Sequence, residues 1–478
     1  MPSLSIPRIV VSGLRGGSGK TVLSLSILAS LRKRGLAAAP FKKGPDYIDA
    51  GWLAKAAGTA CYNLDLFMMT PGQALQSFLS HAQGSRIAVI EGNRGLYDGM
   101  DEKGTYSSAE IAKMLQAPVL LIVDCTKTTS TTAAMVLGCQ RMDPDIMIRG
   151  VVLNRVATGR QEAVIRRAIG DRCGVPVLGA IPRMKKDPFP ERHMGLTPFQ
   201  EHGGIEESLA AMADIGMQYL DLDGIVQAAE GAGELTAAVS SQQSAIGDLA
   251  SGISEKGPRI GIIRDSAFQF YYPDNLEELL KRGAALAEVS PLREDALPAL
   301  DALYIGGGFP ETHAIALAEN RGFRESLRAA IDGGLPVYAE CGGLMYLGKD
   351  LVLEGRTLPM TGALNITFGM ERKPCAHGYT VVEVAGENPY FQRGLTLKGH
   401  EFHYSRVLEI ENNGTYMAFG VRRGKGIVDN KDGICYKNVL ASYTHLHAAG
   451  TPEWAAGLVR CANKYKKGVK DSRGQGVE

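Results

Sequence analysis

The run Leu335-Pro336-Val337-Tyr338-Ala339-Glu340-Cys341-Gly342-Gly343 leads into Leu344-Met345-Tyr346-Leu347-Gly348. Its first part reads as a buried strand and its last part as a helix, so Cys341 sits on a sharp strand-to-helix turn. A nucleophile on such a turn needs small neighbours, because the backbone is strained and the substrate must come close. A helix N-terminus favours the thiolate, and the Gly342 N–H is well placed to bind an oxyanion. A second donor is expected from Gly306-Gly307-Gly308, centred on Gly307, which follows the strand-like run Ala302 to Ile305. A thiol nucleophile also needs a base. His445, in Ser442-Tyr443-Thr444-His445-Leu446-His447, is the candidate, ahead of His400 and His403.

A second cluster lies near the N-terminus. Ile9 to Val11 reads as a strand and runs into Ser12-Gly13-Leu14-Arg15-Gly16-Gly17-Ser18-Gly19-Lys20-Thr21, then a helix. Such a loop folds backbone N–H groups around phosphate oxygens, and the helix N-terminus adds partial positive charge. Gly17 and Gly19 supply the turn, Lys20 reaches the β- and γ-phosphates, and the Thr21 hydroxyl binds Mg²⁺. The loop is a variant, with Leu14 where the standard pattern has its first glycine. Glu91 ends the apolar run Ile87 to Ile90, where a Walker-B acid belongs. Asp46 lies just past the second strand, so both carboxylates are expected at the carboxyl edge of a parallel sheet, beside the loop. Asn154, after the run Gly150 to Leu153, is a weaker candidate for reading the base, since Asn at a strand end is also an ordinary turn residue.

The elements that must position these groups alternate along the chain. Ile9 to Val11, Leu36 to Phe41, Ile87 to Ile90, Val119 to Val123 and Val151 to Leu153 are short apolar runs separated by helical patterns, such as Val22, Leu23, Leu25, Ile27, Leu28 and Leu31. This is the pattern of βαβ units and a buried parallel sheet. An Ala-, Ser-, Gln- and Gly-rich stretch, 231–257, reads as a linker. A second α/β pattern begins at Arg259 to Ile263 and continues through Leu303 to Ile305 and Pro336 to Tyr338. The expected division is a P-loop domain over 1–230, the linker, a second α/β domain over 258–465 and a polar, unstructured tail over 466–478. The net charge of +1 gives no reason to expect nucleic acid. No apolar stretch near ~20 residues offers a membrane span, and no leader peptide is expected. Eight cysteines without a C-x-x-C pair argue against zinc or iron–sulfur and suit a reducing cytoplasm.

Taken together, the chain resembles the cobyrinic acid a,c-diamide synthase family, which includes sirohaem-type and nickel-sirohydrochlorin amidases. The resemblance covers about Arg8 to Asn463. Its carriers are Gly17-x-Gly19-Lys20-Thr21, Phe41 to Asp49, Asn63-Leu64-Asp65, Glu91-Gly92-Asn93-x-Gly95-Leu96-Tyr97-Asp98-Gly99, Gly306 to Glu311, Glu340 to Leu344, Gly399 to Ser405 and Tyr443 to His447. It implies an N-terminal domain similar to dethiobiotin synthetase and a C-terminal glutaminase domain. ATP would activate side-chain carboxylates of a tetrapyrrole as acyl phosphates, and ammonia from glutamine, freed through a Cys341 thioester, would convert the a and c carboxylates to amides. By the resemblance, Asp46 and Glu91 hold Mg²⁺ with Thr21, Lys20 and Lys42 contact phosphates, and Asp49 and Asp98 lie near the reacting carboxylate. A homodimer is expected by analogy.

Three departures keep alternatives open. Triad glutaminases place Glu two residues after the His, and here that position is His447, so the partner orienting His445 is unidentified. Asn93, with Lys43, leans toward the sirohaem-type branch. Arg15 stands where partition ATPases have their signature Lys, and a partition-type switch ATPase with an inactive glutaminase domain is the rival of another class.

Overall fold

Ile87-Ala88-Val89-Ile90 and Val119-Leu120-Leu121-Ile122-Val123 are apolar at every position, not at alternate ones. A strand points successive side chains to opposite faces, so such runs require cover on both sides. The computed structural model describes residues 3–184, 191–192, 195–196, 199, 204–236, 257–411 and 414–474. The chain divides into two compact units, Met1–Ser244 and Ala245–Glu478, described in turn.

The N-terminal unit is built on a seven-stranded parallel sheet. Its strands in chain order are β1 (Arg8–Gly13), β2 (Ala38–Lys43), β3 (Tyr62–Leu64), β4 (Ile87–Glu91), β5 (Val119–Asp124), β6 (Ile148–Val156) and β7 (Val177–Pro182). Their spatial order is β3-β2-β4-β1-β5-β6-β7. Val10, Ile90, Leu121 and Val123 enter one core, whereas Ile9, Val11, Val89, Leu120 and Ile122 enter the other. The alternating residues of each run thus fill opposite layers. β3 and β7 are edge strands that the apolar runs did not announce. β2 begins later than the run Leu36 to Phe41 and ends later, which takes Lys42 and Lys43 into the sheet, where both are buried. Helix α1 (Lys20–Lys33) is buried along most of its length, including Ser24, Ser26 and Ser30. The reason is a second helix, α3 (Ile205–Tyr219), which lies over its outer face. Ser30 Oγ donates to the Ala213 carbonyl at 2.9 Å, and a Cβ on Gly216 would lie 2.1 Å from Ser30 Oγ, so small residues set the helix spacing. Helix α2 (Tyr47–Ala57) follows β2.

The C-terminal unit holds a ten-stranded mixed sheet. Its parallel part comprises β8 (Arg259–Ile263), β9 (Ala285–Val289), β10 (Ala302–Ile305), β11 (Val337–Glu340) and β16 (Val439–Ser442), in the order β9-β8-β10-β11-β16. An antiparallel part continues from β16 through β15 (Lys431–Tyr436), β14 (Tyr416–Arg423), β12 (Ala376–Val384), β13 (Thr396–His403) and β17 (His445–Leu446). Alternation again splits the layers: Ile263, Leu303, Ile305, Val337 and Ala339 face one core, and Ile260, Ile262, Tyr304 and Tyr338 the other.

Two boundaries differ from expectation. Leu235–Thr236, inside the stretch read as linker, pairs with Ser3–Leu4, while 237–256 lie outside the described residues. The last helix, α5 (Pro452–Gly474), runs through most of the stretch read as an unstructured tail. Trp454 anchors its start between Tyr304 and Tyr338, and the Lys466 ammonium donates to the Gly257 carbonyl.

Candidate functional sites

Sheet register assembles the first site. In β2, β4 and β1, Lys42 lies beside Glu91, and Glu91 beside Val11, all at the carboxyl edge. The loop after β1 turns through Gly17 (φ 70°) and Gly19 (φ 95°), left-handed conformations that favour glycine. A Cβ on Gly19 would also lie 2.3 Å from Asn154 Nδ2. Asn154, expected at the base, lies inside β6 and under this loop. Its Nδ2 donates to the Ser18 carbonyl at 2.9 Å and its Oδ1 accepts from the Arg155 N–H at 2.9 Å. Both ends of the amide serve the backbone, so Asn154 supports the loop.

Lys20 Nζ donates to the Arg15 carbonyl at 3.1 Å, across the loop. Thr21 Oγ1 donates to Glu91 Oε1 at 3.0 Å. The same oxygen accepts from Lys42 Nζ at 2.5 Å, and Lys42 also donates to Asp49 Oδ2 at 2.6 Å. Asp46 is the N-cap of α2, its Oδ1 accepting from the Asp49 N–H at 2.9 Å. Asp98 accepts from the Gly95 N–H at 2.9 Å in an exposed loop, and its charge is felt by Lys20.

Three carboxylates thus surround one buried ammonium. Burial opposes the charge on Lys42, but Asp49, Glu91 and Asp46 outweigh it and hold its pKa well above the lysine range. Burial, then the Asp49 charge, pushes Asp46 up to about 7. Burial raises Glu91 against the pull of Lys42. Asp49 meets the same burial penalty and is nonetheless held low by Lys42, and burial lowers Lys20. Glu91 Oε2 is buried and has no hydrogen-bond partner. A surplus of negative charge and an unmatched acceptor beside a threonine hydroxyl suit a divalent cation. Among the described residues no group of three or more His, Cys, Asp or Glu could hold a metal ion by itself.

The second site forms where β11 ends. Cys341 has φ 47° and ψ −98°, a strained conformation for a residue with a side chain. The following helix, α4 (Gly342–Leu347), is one short element. A Cβ on Gly343 would lie 2.6 Å from the Ile305 carbonyl, and one on Gly342 would lie 3.0 Å from the Gly308 nitrogen. The two glycines therefore let the elbow close on β10 and the triple glycine. Gly307 lies against His445: its Cβ would come within 2.5 Å of His445 Cε1. The thiol departs from expectation. Burial, then Glu311, pushes its pKa up, and the pull of the Gly342 N–H does not compensate. Desolvation of a nearly buried sulfur outweighs the short helix, and Sγ donates to the Phe402 carbonyl at 3.6 Å. Burial thus favours the thiol form of Cys341.

His445 pairs with His400 across β17 and β13, and the two rings stack at 4.8 Å. Its Nδ1 lies 3.4 Å from Glu340 Oε2. Glu340 is fully buried. Its Oε1 accepts from the Leu446 N–H at 3.1 Å and its Oε2 from the Tyr304 hydroxyl at 3.1 Å. Sequence reading missed this partner. The signal was a carboxylate closing a buried strand, two residues after Tyr338 and so on the Tyr338 face. His447 follows the two-residue strand instead of continuing it, and its Nε2 lies 3.4 Å from Asp274 Oδ2. Burial lowers His400 well below the usual range and holds His403, stacked on Tyr443 at 3.6 Å, near 4. Burial thus favours the neutral form of both rings. Asp432, buried, accepts from the Gly433, Tyr443 and Thr444 N–H groups and from Thr444 Oγ1, and so fixes the turn that delivers His445.

Comparison with known proteins assigns each half. Residues 9–196 match the CobQ/CobB/MinD/ParA nucleotide binding domain, and residues 259–453 match the CobB/CobQ-like glutamine amidotransferase domain. Over 95% of its length the chain is 44% identical to the cobyrinate a,c-diamide synthase of Magnetococcus marinus, covering 97% of that protein. It is 40% identical to that of Archaeoglobus fulgidus, with 97% and 99% covered, and 37% identical to that of Listeria innocua, with 93% and 97% covered.

Proposed function

The chain belongs to the cobyrinate a,c-diamide synthase family, and from that premise we propose that it uses ATP and glutamine to amidate the a and c carboxylates of a cobyrinic acid-type tetrapyrrole, in cobalamin biosynthesis. The observation that carries this reading is the presence in one chain of a phosphate loop joined to Glu91 through Thr21 and a strained cysteine elbow with a buried histidine. The partition-ATPase alternative leaves the second site without a task. The lean of Asn93 and Lys43 toward sirohaem gains no support from the relatives, which carry the cobyrinate name.

In this reading a substrate carboxylate oxygen attacks the γ-phosphorus of ATP, ADP leaves, and an acyl phosphate results. A carboxylate is a poor acyl donor until its oxygen becomes phosphate, and positive groups must offset the charge crowded at that step. Lys20 and Lys42 meet the phosphates. Lys42 turns from Asp49 and Glu91 toward them, and Asp49 and Asp98 face the reacting carboxylate. Thr21, Glu91 and Asp46 hold Mg²⁺, which when bound neutralises charge on the β- and γ-oxygens. In the second site Cys341 Sγ attacks the glutamine amide carbon while His445 takes the thiol proton and passes it to departing ammonia. The Gly342 and Gly307 N–H groups receive the oxyanion. Water then cleaves the thioester to glutamate, and ammonia displaces phosphate from the activated carboxylate.

The reading includes a homodimer, by analogy with the family, and a reducing cytoplasm, with which the eight unpaired cysteines are consistent. No helix among the described residues is long and apolar enough to cross a membrane. The test is amidation of cobyrinic acid with glutamine or ammonium as nitrogen donor. Loss of glutamine use but not ammonium use in Cys341→Ala supports the two-site scheme, and full glutamine use in that variant sinks it.

A further inference from the structure

Resting on that reading, we propose that Glu340 is the positioning residue of the glutaminase site, holding His445 through Nδ1 so that Nε2 is the basic nitrogen and countering the charge that His445 gains when Cys341 gives up its proton. The family pattern leaves the place of the orienting acid to His447, which faces Asp274. Glu340 supplies an acid from a different position, the residue immediately before the nucleophile.

The geometry favours this role over a purely structural one. Glu340 Oε1 is used by the Leu446 N–H, and Oε2 lies between the Tyr304 hydroxyl at 3.1 Å and His445 Nδ1 at 3.4 Å. Both contacts with the β17 segment act on the base: one fixes its backbone, the other its ring. A carboxylate shut away from water is costly unless a charged or donating partner meets it, and among these partners only His445 can become positive. The ring is held on its other side by His400, which burial keeps neutral. His377, His403 and His447 are the other histidines of this cluster. Glu311, Glu340 and Asp432 all raise the thiol, and the Glu340 carboxylate also lies at ion-pair distance from His445. Because the strand links Glu340 directly to Cys341, one backbone segment sets both the nucleophile and the group that aims its base.

Glu340→Gln tests the idea in the full chain. The amide keeps an oxygen for Leu446 N–H, while its NH₂ turned toward His445 favours the opposite tautomer and removes the base. Glutamine hydrolysis should fall on the order of 10³-fold in kcat, with KM for glutamine little changed, since Glu340 is buried away from substrate. Alkylation of Cys341 by iodoacetamide, with Cys341→Ala as the blank, should be slower at neutral pH and require higher pH. Glu340→Asp, which keeps the charge, should restore part of both. Thermal unfolding and ammonium-driven amidation report on the fold of each variant. Near-wild-type hydrolysis in Glu340→Gln would overturn the proposal, as would equal losses in both variants with unchanged alkylation profiles. Glutamine use that survives Cys341→Ala would instead refute the glutaminase reading itself.

Discussion

Asp46→Asn should make the ligand-free protein more stable while abolishing its ligase activity. Asp46 caps α2 through Oδ1, and Asn caps a helix equally well, so the substitution removes charge and little else. In the native state the Asp46 carboxyl is pushed from 3.8 to about 7, by burial and then by Asp49. Its folded pKa lies above its unfolded value, so the fold disfavours the ionised form. Below about pH 3.8 both states hold the proton and the residue costs nothing. The cost grows as pH rises from there and is complete above about 7. At about 1.4 kcal/mol per pKa unit the full shift is worth on the order of 4 kcal/mol. Asp46 keeps partial access to solvent, whose screening reduces this to roughly 2 kcal/mol. For a unit of this size that is about 4–8 °C in Tm at pH 8. The assay is thermal unfolding of both proteins from pH 5 to pH 8 without nucleotide. The difference should widen with pH, while ATP-dependent amidation falls roughly 10²-fold or more, because the proposed cation site loses one of its carboxylates. A variant that is less stable at pH 8, or a difference that ignores pH, would refute this account of the cluster.

Other variants separate the two sites. Lys20→Ala and Glu91→Ala should abolish amidation with glutamine and with ammonium alike, read as product formed over time. Gly307→Ala places a Cβ 2.5 Å from His445 Cε1 and should cut glutamine-driven turnover roughly 10²-fold through misplacement of the base, with ammonium-driven turnover retained. Asp432→Ala strips the acceptor from three N–H groups and the Thr444 hydroxyl. It should destabilise the fold by about 3 kcal/mol or more in denaturant titration.

The parallel sheets were legible because their strands are apolar at every position, and the residues that end them, Glu91 and Cys341, stand at abrupt changes of type. Edge strands such as β3 are short and half polar, so they carry no such signal. Lys42 and Lys43 were readable as chemistry but not as strand, since a buried lysine makes sense only once Asp49 and Glu91 are seen beside it. Glu340 was hidden for a related reason. The familiar place for an orienting acid is two residues beyond the histidine, whereas here the acid closes β11, a strand not paired with β17, and reaches His445 and the Leu446 N–H through its side chain, a meeting that local sequence does not spell out. The direction of the thiol's shift was not legible because a short helix offers a local, readable effect, while the burial that outweighs it depends on tertiary packing.

The most direct test of the central claim is the mass of the product formed from cobyrinic acid by purified protein with Mg²⁺, ATP and glutamine. The account predicts two successive OH-to-NH₂ exchanges, each requiring both co-substrates. ATP hydrolysis without any amidation would contradict it, as would amidation confined to sirohaem or nickel-sirohydrochlorin.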